Sequence, residues 1–307
     1  MNSRHCTTRG IFLSAVLGLT LTALGGCGGS PAPKAPDPAG QLNQRLHDRL
    51  PKAVRAAGTL RVGTDASYAP ASFFGPNGRH IVGFEPDLGA ALGRVLGVRF
   101  EFVNVEFTTM LPKLTAQKID LAISAMTDTS DREKQADFIN YFTAGTSIVV
   151  QRGNPKAVTD LQDLCGHVVA VEEGTVQVDL LQRSQQKCAS GPIKVKQYPT
   201  NSDALVQLRT GRAVAVLNDF PPASYLASEA STKANYQLAS NIQYEPGLYG
   251  IAVAKDQTQL RDAVRDALKE IIRTGAYAKV LNKWSVTDGA IRQTTINSGR
   301  GAEQLAQ

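Results

Sequence analysis

The sequence predicts an α/β protein with two lobes, each built on a mainly parallel sheet flanked by helices. Apolar segments of strand length alternate with segments whose apolar residues recur at helical spacing, which is typical of strand–helix–strand units. The pattern breaks at residues 152–155 (RGNP) and at 244–247 (YEPG), and the segments between the breaks repeat the earlier scheme. The chain therefore crosses to a second lobe and then returns to the first.

These breaks set the domain boundaries. The first lobe is predicted over residues 41–150, the second over 151–246, and the return to the first over 247–289. Residues 290–307 are polar, and we expect them to be disordered.

The elements of the first lobe follow in the order that a parallel sheet requires. Gly58 ends a short helical lead-in and Gly97 ends the helix that starts near Pro86, because glycine adopts the left-handed conformation that stops a helix. Apolar spacing assigns strands to 59–63, 98–105 and 119–123, and helices to 41–57, 86–96 and 107–116.

The second lobe and the return continue this alternation. Strands are predicted at 147–151, 168–171, 214–217 and 248–254, and helices at 174–181, 201–209, 256–273 and 277–284.

The amino terminus predicts export. Basic residues precede an apolar run over 11–24, so residues 1–26 form a cleavable signal peptide that is too short for a confident membrane span. Cys27 follows small residues that resemble a bacterial lipobox, which predicts a lipidated cysteine; an unmodified cysteine beside an ordinary cleavage site is the alternative. Residues 27–40 are rich in proline and form a flexible tether, which would hold the protein at the outer face of the cell membrane.

The net charge of the mature chain does not point to a particular class of partner. Removal of the first 26 of 307 residues leaves 281, and the net charge falls from +6 to +4 because Arg4 and Arg9 are lost. No run of like charge survives, so nucleic acid is not a predicted partner.

Two cysteines remain in the body of the chain. Cys165 and Cys188 are predicted to form a disulfide, because an exported protein matures in an oxidising compartment. Histidine is scarce, and only His167 lies near either cysteine, so we predict no metal site.

A candidate anion site follows the strand at 119–123. Ser124, Thr127 and Arg132 gather where that strand ends, and a guanidinium can pair two donors with both oxygens of a carboxylate. Open α/β sheets bind ligands beyond the carboxyl ends of their strands. The alternative is that Thr129 or Ser130 caps a helix and Arg132 lies solvated on its first turn.

Other strand ends add complementary groups. Asp65 and Tyr68 follow the first strand, and Asp219 follows a strand of the second lobe. An arginine opposite a lone aspartate suits a zwitterion, because an ammonium group in a closed cleft needs an anionic partner. Asp219 alone could instead cap the helix that begins at Phe220.

Evidence for catalysis is weak. Glu172 and Glu173 could act as general acid and base, but no nucleophile turn, phosphate loop or metal spacing accompanies them. The sequence therefore predicts no cofactor.

Residues 60–284 resemble the family 3 solute-binding proteins of ABC transporters, in the polar amino acid group. The segments that carry the resemblance are 60–70 (LRVGTDASYAP), 83–88 (GFEPDL), 118–127 (KIDLAISAMT) with Arg132, and 173–177 (EGTVQ). The resemblance implies a type II periplasmic-binding-protein-like fold, in which two lobes joined by two crossing strands close on an amino acid ligand. It also implies a permease as partner and a monomer.

The resemblance also implies roles for single residues. Arg132, Ser124 and Thr127 would bind the α-carboxylate, and Asp219 the α-ammonium group. The other implied ligand contacts are Tyr68 and Phe107 on either side of the ligand side chain, Asp65 at its far end, Thr175 and Gln177 from the second lobe, and Ala125 where the family often has a second serine. Val176 is another departure, because the family often has a hydroxyl residue there.

Two other functions compete with an extracellular amino acid receptor. A cyclohexadienyl dehydratase-like enzyme, with Glu173 as its acid, is possible on the same fold. A sensory module is disfavoured because no signalling domain follows Trp284. The ligand stays open among basic amino acids, glutamine, glutamate and cystine.

Overall fold

The computed structural model describes residues 41–299, which contain ten α-helices and twelve strands. The strands are β1 Thr59–Thr64, β2 Ser67–Tyr68, β3 Ser72–Phe74, β4 Ile81–Val82, β5 Arg99–Asn104, β6 Leu121–Ala122, β7 Ala136–Gln151, β8 Val168–Glu172, β9 Lys194–Tyr198, β10 Ala215–Asp219, β11 Tyr236–Leu238 and β12 Tyr244–Ala254. The helices are α1 Gln44–Asp48, α2 Lys52–Ala57, α3 Phe84–Leu96, α4 Met110–Thr115, α5 Ser130–Glu133, α6 Val176–Ser184, α7 Asn201–Arg209, α8 Phe220–Ser228, α9 Thr258–Arg273 and α10 Ala276–Lys283.

One continuous sheet passes through both lobes of the described chain. Its strand order is β5-β1-β6-β12-β7-β10-β8-β9, with β11 paired to β7, and β2, β3 and β4 form a separate small sheet. The pairs β5-β1-β6 and β10-β8-β9 are parallel, whereas β12 and β7 are antiparallel to their neighbours. Two parallel units are thus joined through a central antiparallel pair, which confirms the predicted two-lobe α/β fold.

The first crossing between the lobes comes earlier than the sequence breaks predict. Residues Ala136–Ala144 of β7 pair with Gly247–Ala254 of β12, whereas Thr146–Val150 pair with β10 of the second lobe. β7 therefore changes lobe near Gly145, and residues 146–150 belong with the second lobe rather than the first. A strand that runs straight from one sheet into another gives no Gly or Pro signal at the crossing.

Each half of this sheet is buried on both faces. In the first lobe, Leu60 packs with Leu88 of α3 and Leu268 of α9 on one face, and α4 covers the other face. In the second lobe, Val169 packs with Leu181 of α6, and α7 and α8 cover the opposite face. Burial on both faces explains why these strands have continuous apolar runs rather than an alternating pattern.

The predicted disordered tail is wrong for residues 290–299. Thr295 accepts the backbone N–H of Asn140 at 3.0 Å, and Ile139 and Ile296 form a β-bridge. The polar composition of this segment concealed its order, because most of its contacts are hydrogen bonds and only Ile291 and Ile296 pack against the apolar core. The signal peptide, Cys27, the whole of the tether and residues 300–307 lie outside the described residues.

Cys165 and Cys188 form a disulfide, with their Cα atoms 5.5 Å apart. The bond ties the turn before β8 to the segment after α6, so it closes a loop within the second lobe. Among residues 41–299, no helix is long and apolar enough to cross a bilayer.

We expect replacement of both cysteines by serine to destabilise the second lobe. The bridged residues are separated by 23 positions, and closing a loop of that length stabilises a fold by about 3 kcal/mol in the chain-entropy account. Urea unfolding of the double variant and of the wild type with and without reductant measures the difference. Reductant should affect only the wild type; two free thiols in the purified exported protein would contradict the bridge.

Candidate functional site

A cavity lies between the lobes, where the carboxyl ends of the parallel strands meet. Asp65 follows β1, Ser124 follows β6, and Glu172 and Asp219 end β8 and β10. The residues that line it are Asp65, Tyr68, Phe107, Ser124, Ala125, Thr127, Arg132, Glu172, Thr175, Val176, Gln177 and Asp219. All ten residues assigned to ligand contact from the sequence are among them, and Glu172 and Val176 are additional.

Arg132 combines the two alternatives that the sequence left open. Thr129 is the N-cap of α5, and its Oγ1 accepts the backbone N–H of Arg132 at 3.3 Å. The guanidinium nevertheless faces the cavity, where burial lowers the pKa of Arg132 to about 10. The local cap was therefore correct, and the solvated arginine was wrong.

The guanidinium of Arg132 is held by backbone carbonyls. Its Nη1 donates to Thr127 O at 2.7 Å, and its Nη2 donates to Gly174 O at 2.9 Å. The group also lies over the Phe107 ring, 5.2 Å from the centroid, where a cation–π interaction stabilises it. Two of its five N–H groups are thus used by neutral acceptors, and its charge is left for an anion in the cavity.

Asp219 occupies the N-cap position of α8, but its side chain makes no capping hydrogen bond. Its Oδ1 accepts from Gln177 Nε2 at 2.8 Å, and its Oδ2 accepts from the Tyr68 hydroxyl at 3.1 Å. Burial raises the pKa of Asp219 to about 6, against the opposing effect of its hydrogen bonds and of Arg132. A cation placed beside this carboxylate would reverse that shift.

Two further carboxyl groups, of Asp65 and Glu172, line the cavity. Asp65 and Glu172 are 5% and 6% exposed, and Glu172 Oε1 is buried without a hydrogen-bond partner among residues 41–299. Burial raises the pKa of Glu172 well above its ordinary value, and the charge of nearby Asp65 raises it further. The sequence showed Glu172 at a strand end, yet the adjacent Glu173 obscured which of the pair enters the cavity.

The lobes contact each other across this cavity. The Tyr68 hydroxyl accepts the backbone N–H of Asp219 at 2.8 Å, and Asn201 Nδ2 donates to Ser67 O at 3.4 Å. Gly174 has a φ of +72°, and a Cβ there would lie 2.8 Å from Thr108 Cγ2 in the other lobe. Only glycine permits both that backbone conformation and that approach. The structure is therefore a closed state.

The loop at 124–127 is held from below by a buried carboxyl group. Ala125 has a φ of +46°, and its backbone N–H donates to Glu85 Oε1 at 2.5 Å. Glu85 is fully buried and also accepts from the hydroxyls of Tyr141 and Ser72. Burial raises the pKa of Glu85, while these three donors lower it. The acid of the GFEPDL segment thus fixes a loop that lines the cavity.

A sequence profile of the bacterial extracellular solute-binding proteins, family 3, matches residues 60–287. The chain is 29% identical over 266 residues to the arginine-binding protein ArgT of Corynebacterium glutamicum, covering 85% of this chain and 84% of that protein. An ancestral arginine-binding protein, solved bound to glutamine, is similar with a TM-score of 0.68 and 36% identity, covering 75% of this chain and 98% of that chain. The ancestral amino acid-binding protein AncCDT-1, a precursor of cyclohexadienyl dehydratase, is similar with a TM-score of 0.67 and 34% identity, covering 76% of this chain and 97% of that chain.

We expect Glu85→Ala to destabilise the protein far more than Glu85→Gln. The alanine variant leaves the Ala125 N–H and two hydroxyls without their acceptor, at a cost of about 3 kcal/mol or more, whereas glutamine keeps an oxygen for Ala125. Urea unfolding of both variants measures the difference. Equal stability of the two would show that the carboxyl oxygens do not hold the loop.

Proposed function

The chain belongs to family 3 of the bacterial extracellular solute-binding proteins, and we propose that it captures an amino acid between its lobes and presents it to an ABC transporter permease. The single observation that carries the ligand class is the pairing of two oppositely charged groups, the half-buried Arg132 and the buried Asp219, on one cavity. Arg132 from the first lobe and Asp219 from the second match the carboxylate and ammonium of a free amino acid. Ser124 and Thr127 supply further donors beside Arg132.

Closure follows from this arrangement. A ligand gripped by Arg132 on one side and Asp219 on the other binds both lobes at once, so it stabilises the closed state over the open one. Tyr68 and Gln177 orient the Asp219 carboxylate for the ammonium group. Phe107 and Tyr68 offer ring surface for the ligand's side chain, and Thr175 lines the second lobe.

We assign the ligand a cationic side chain. The cavity carries Asp65 and Glu172 in addition to Asp219, and one of these carboxyl groups has an oxygen that lacks a partner. A guanidinium or ammonium group between Asp65 and Glu172 supplies the missing donors and offsets their repulsion. Glutamate would add a third carboxylate there, so arginine or lysine fits better. The relatives named for arginine binding agree with this assignment.

An amino acid receptor is favoured over the dehydratase alternative. The dehydratase hypothesis placed its acid at Glu173, but the cavity is lined by Glu172. The similar structure connected with that enzyme is itself described as an amino acid-binding protein. We therefore propose a binding protein without catalysis, which acts as a monomer.

We also propose a lipid anchor at Cys27. The support is the lipobox-like sequence before this cysteine and the proline-rich segment over residues 27–40 that follows it. Such a tether would keep the lobes at the outer face of the membrane, where a permease receives the ligand.

A thermal-shift screen of the twenty amino acids tests the function. Arginine or lysine should raise the melting temperature, because a ligand at a hundredfold excess over its Kd stabilises the fold by about 2.7 kcal/mol. Arg132→Ala should weaken binding by about 2–5 kcal/mol, while Arg99→Ala, a change at an exposed arginine of β5, should not. If no amino acid shifts melting while prephenate is consumed, the receptor function is wrong.

Glu172→Gln tests the cationic side chain. The variant should lose about tenfold in arginine affinity and gain relative affinity for glutamine, because the amide removes one anionic partner. Glu173→Gln is the matched control, since the side chain of Glu173 does not line the cavity. Calorimetric titration with both ligands measures the ratio. An arginine affinity equally weak in both variants would contradict the assignment.

A further inference from the structure

The carboxyl-terminal segment 290–299 reaches residues 127–133, a turn and the short helix α5 that carry Arg132 and are together called the loop below. The family profile ends at residue 287, so this segment lies beyond the part of the chain that the family defines. It runs beside the start of β7 and finishes against Asp128 and the end of α5. Its contacts fall into two groups, those that anchor it and those that touch the loop.

The anchor is a short antiparallel pairing with β7. Asn297 donates its backbone N–H to Phe138 O at 3.0 Å, and its Oδ1 accepts the Phe138 N–H at 2.8 Å. Thr294 Oγ1 donates to Asn140 O at 2.8 Å. Because β7 belongs to the central pair of the sheet, the segment is fixed to the centre of the fold.

Two backbone N–H groups of the segment bind two carboxyl groups of the loop. Ser298 N donates to Asp128 Oδ2 at 3.0 Å, and Gly299 N donates to Glu133 Oε1 at 2.9 Å. A Cβ at Gly299 would lie 2.6 Å from the carbonyl carbon and oxygen of Asp128. The segment therefore packs directly on the backbone of the loop, at a distance that only glycine allows.

The side chain of Asn140 links the terminal segment to Asp128. Thr295 Oγ1 donates to Asn140 Oδ1 at 2.6 Å, and Asn140 Nδ2 donates to Asp128 Oδ2 at 2.8 Å. Asp128 is 2% exposed, so these donors stabilise a carboxyl group that is removed from water. The terminal segment thus orients the Asp128 side chain in two ways, directly through Ser298 N and indirectly through Thr295 and Asn140.

The two carboxyl groups lie close to Arg132 in the chain, and the charge of Asp128 acts on the Arg132 guanidinium. Asp128 follows Thr127, whose carbonyl accepts from Arg132, and Glu133 is the next residue after Arg132. Burial, together with the nearby Glu133, raises the pKa of Asp128 to about 6. The donors from the terminal segment thus fix two carboxyl groups beside the residue whose guanidinium lines the cavity.

We propose that residues 294–299 form a strap that positions Arg132 for the ligand's carboxylate, by holding Asp128 and Glu133 with Ser298 N and Gly299 N. The strap touches no ligand and acts through the loop. This inference rests on the proposed function, because it assigns the strap to the carboxylate subsite of the same cavity.

The test compares two truncations of the full chain. Removal of residues 294–307 deletes the strap, and removal of residues 300–307 leaves it in place as the matched control. Calorimetric titration with L-arginine should show an affinity about 3- to 30-fold weaker for the first truncation and unchanged for the second, a range typical of residues that act on a site without touching its ligand. Unchanged affinity in both would overturn the proposal.

Hydrogen exchange of the ligand-free proteins separates positioning from a general loss of stability. The amides of residues 128–133 should exchange faster without the strap, while those of the α3 helix keep their protection. Acceleration spread evenly over the first lobe would overturn the proposal. If the wild type binds no arginine, the proposed ligand is wrong, and the exchange comparison alone still decides whether the strap holds the loop.

Gly299→Val in the full chain tests the proposal if the variant that lacks residues 294–307 does not fold. A valine side chain would force the end of the strap away from the Asp128 backbone, and the φ of Gly299 adds no strain of its own. This variant should show the same weaker arginine affinity and the same faster exchange over residues 128–133. Wild-type values for both would overturn the proposal.

Discussion

The structure depends on the antiparallel pairing of β7 with β12. These two strands lie at the centre of one sheet, and β7 passes from the first lobe into the second without a break. The pairing orients the parallel strands on either side so that their carboxyl ends face a common cavity. Strand ends gather loops, N–H groups and helix starts, which explains why the charged residues of both lobes meet there. A connection through flexible loops would not define that geometry.

The second constraint is the burial of charge between the lobes. Arg132 and Asp219 belong to different lobes, and closure removes both from water at a desolvation cost. Neutral partners recover part of that cost: Gly174 O accepts from Arg132, and the Tyr68 hydroxyl binds Asp219. These contacts cross the cleft, so the groups that would bind a ligand also hold the lobes together. Binding and closure are therefore one event in this architecture.

Much of this site was predictable because its residues follow recognisable strands. Arg132 and Asp219 were found at strand ends, and their opposite charges indicated a zwitterion. Glu172 faces the cavity because it is the last residue of β8, whereas Glu173 follows the strand. The sequence alone does not show at which of these two identical residues the strand ends. The order of residues 290–299 was missed for a different reason. That segment is fixed largely by hydrogen bonds to β7, and the two isoleucines that pack on the core, Ile291 and Ile296, are too few to form an apolar pattern in the sequence.

The charges of the cavity also bear on which ligand can close it. One guanidinium faces three carboxyl groups, from Asp65, Glu172 and Asp219, and burial keeps the pKa of Glu172 well above its ordinary value. The cavity therefore carries more carboxyl groups than basic groups. A zwitterion with a neutral side chain brings no cation for the surplus carboxyl groups, whereas arginine or lysine supplies one. An acidic amino acid adds a further carboxylate. Since an uncompensated charge in a closed site is costly, the proposed cationic ligand would stabilise the closed state more than a neutral or acidic one.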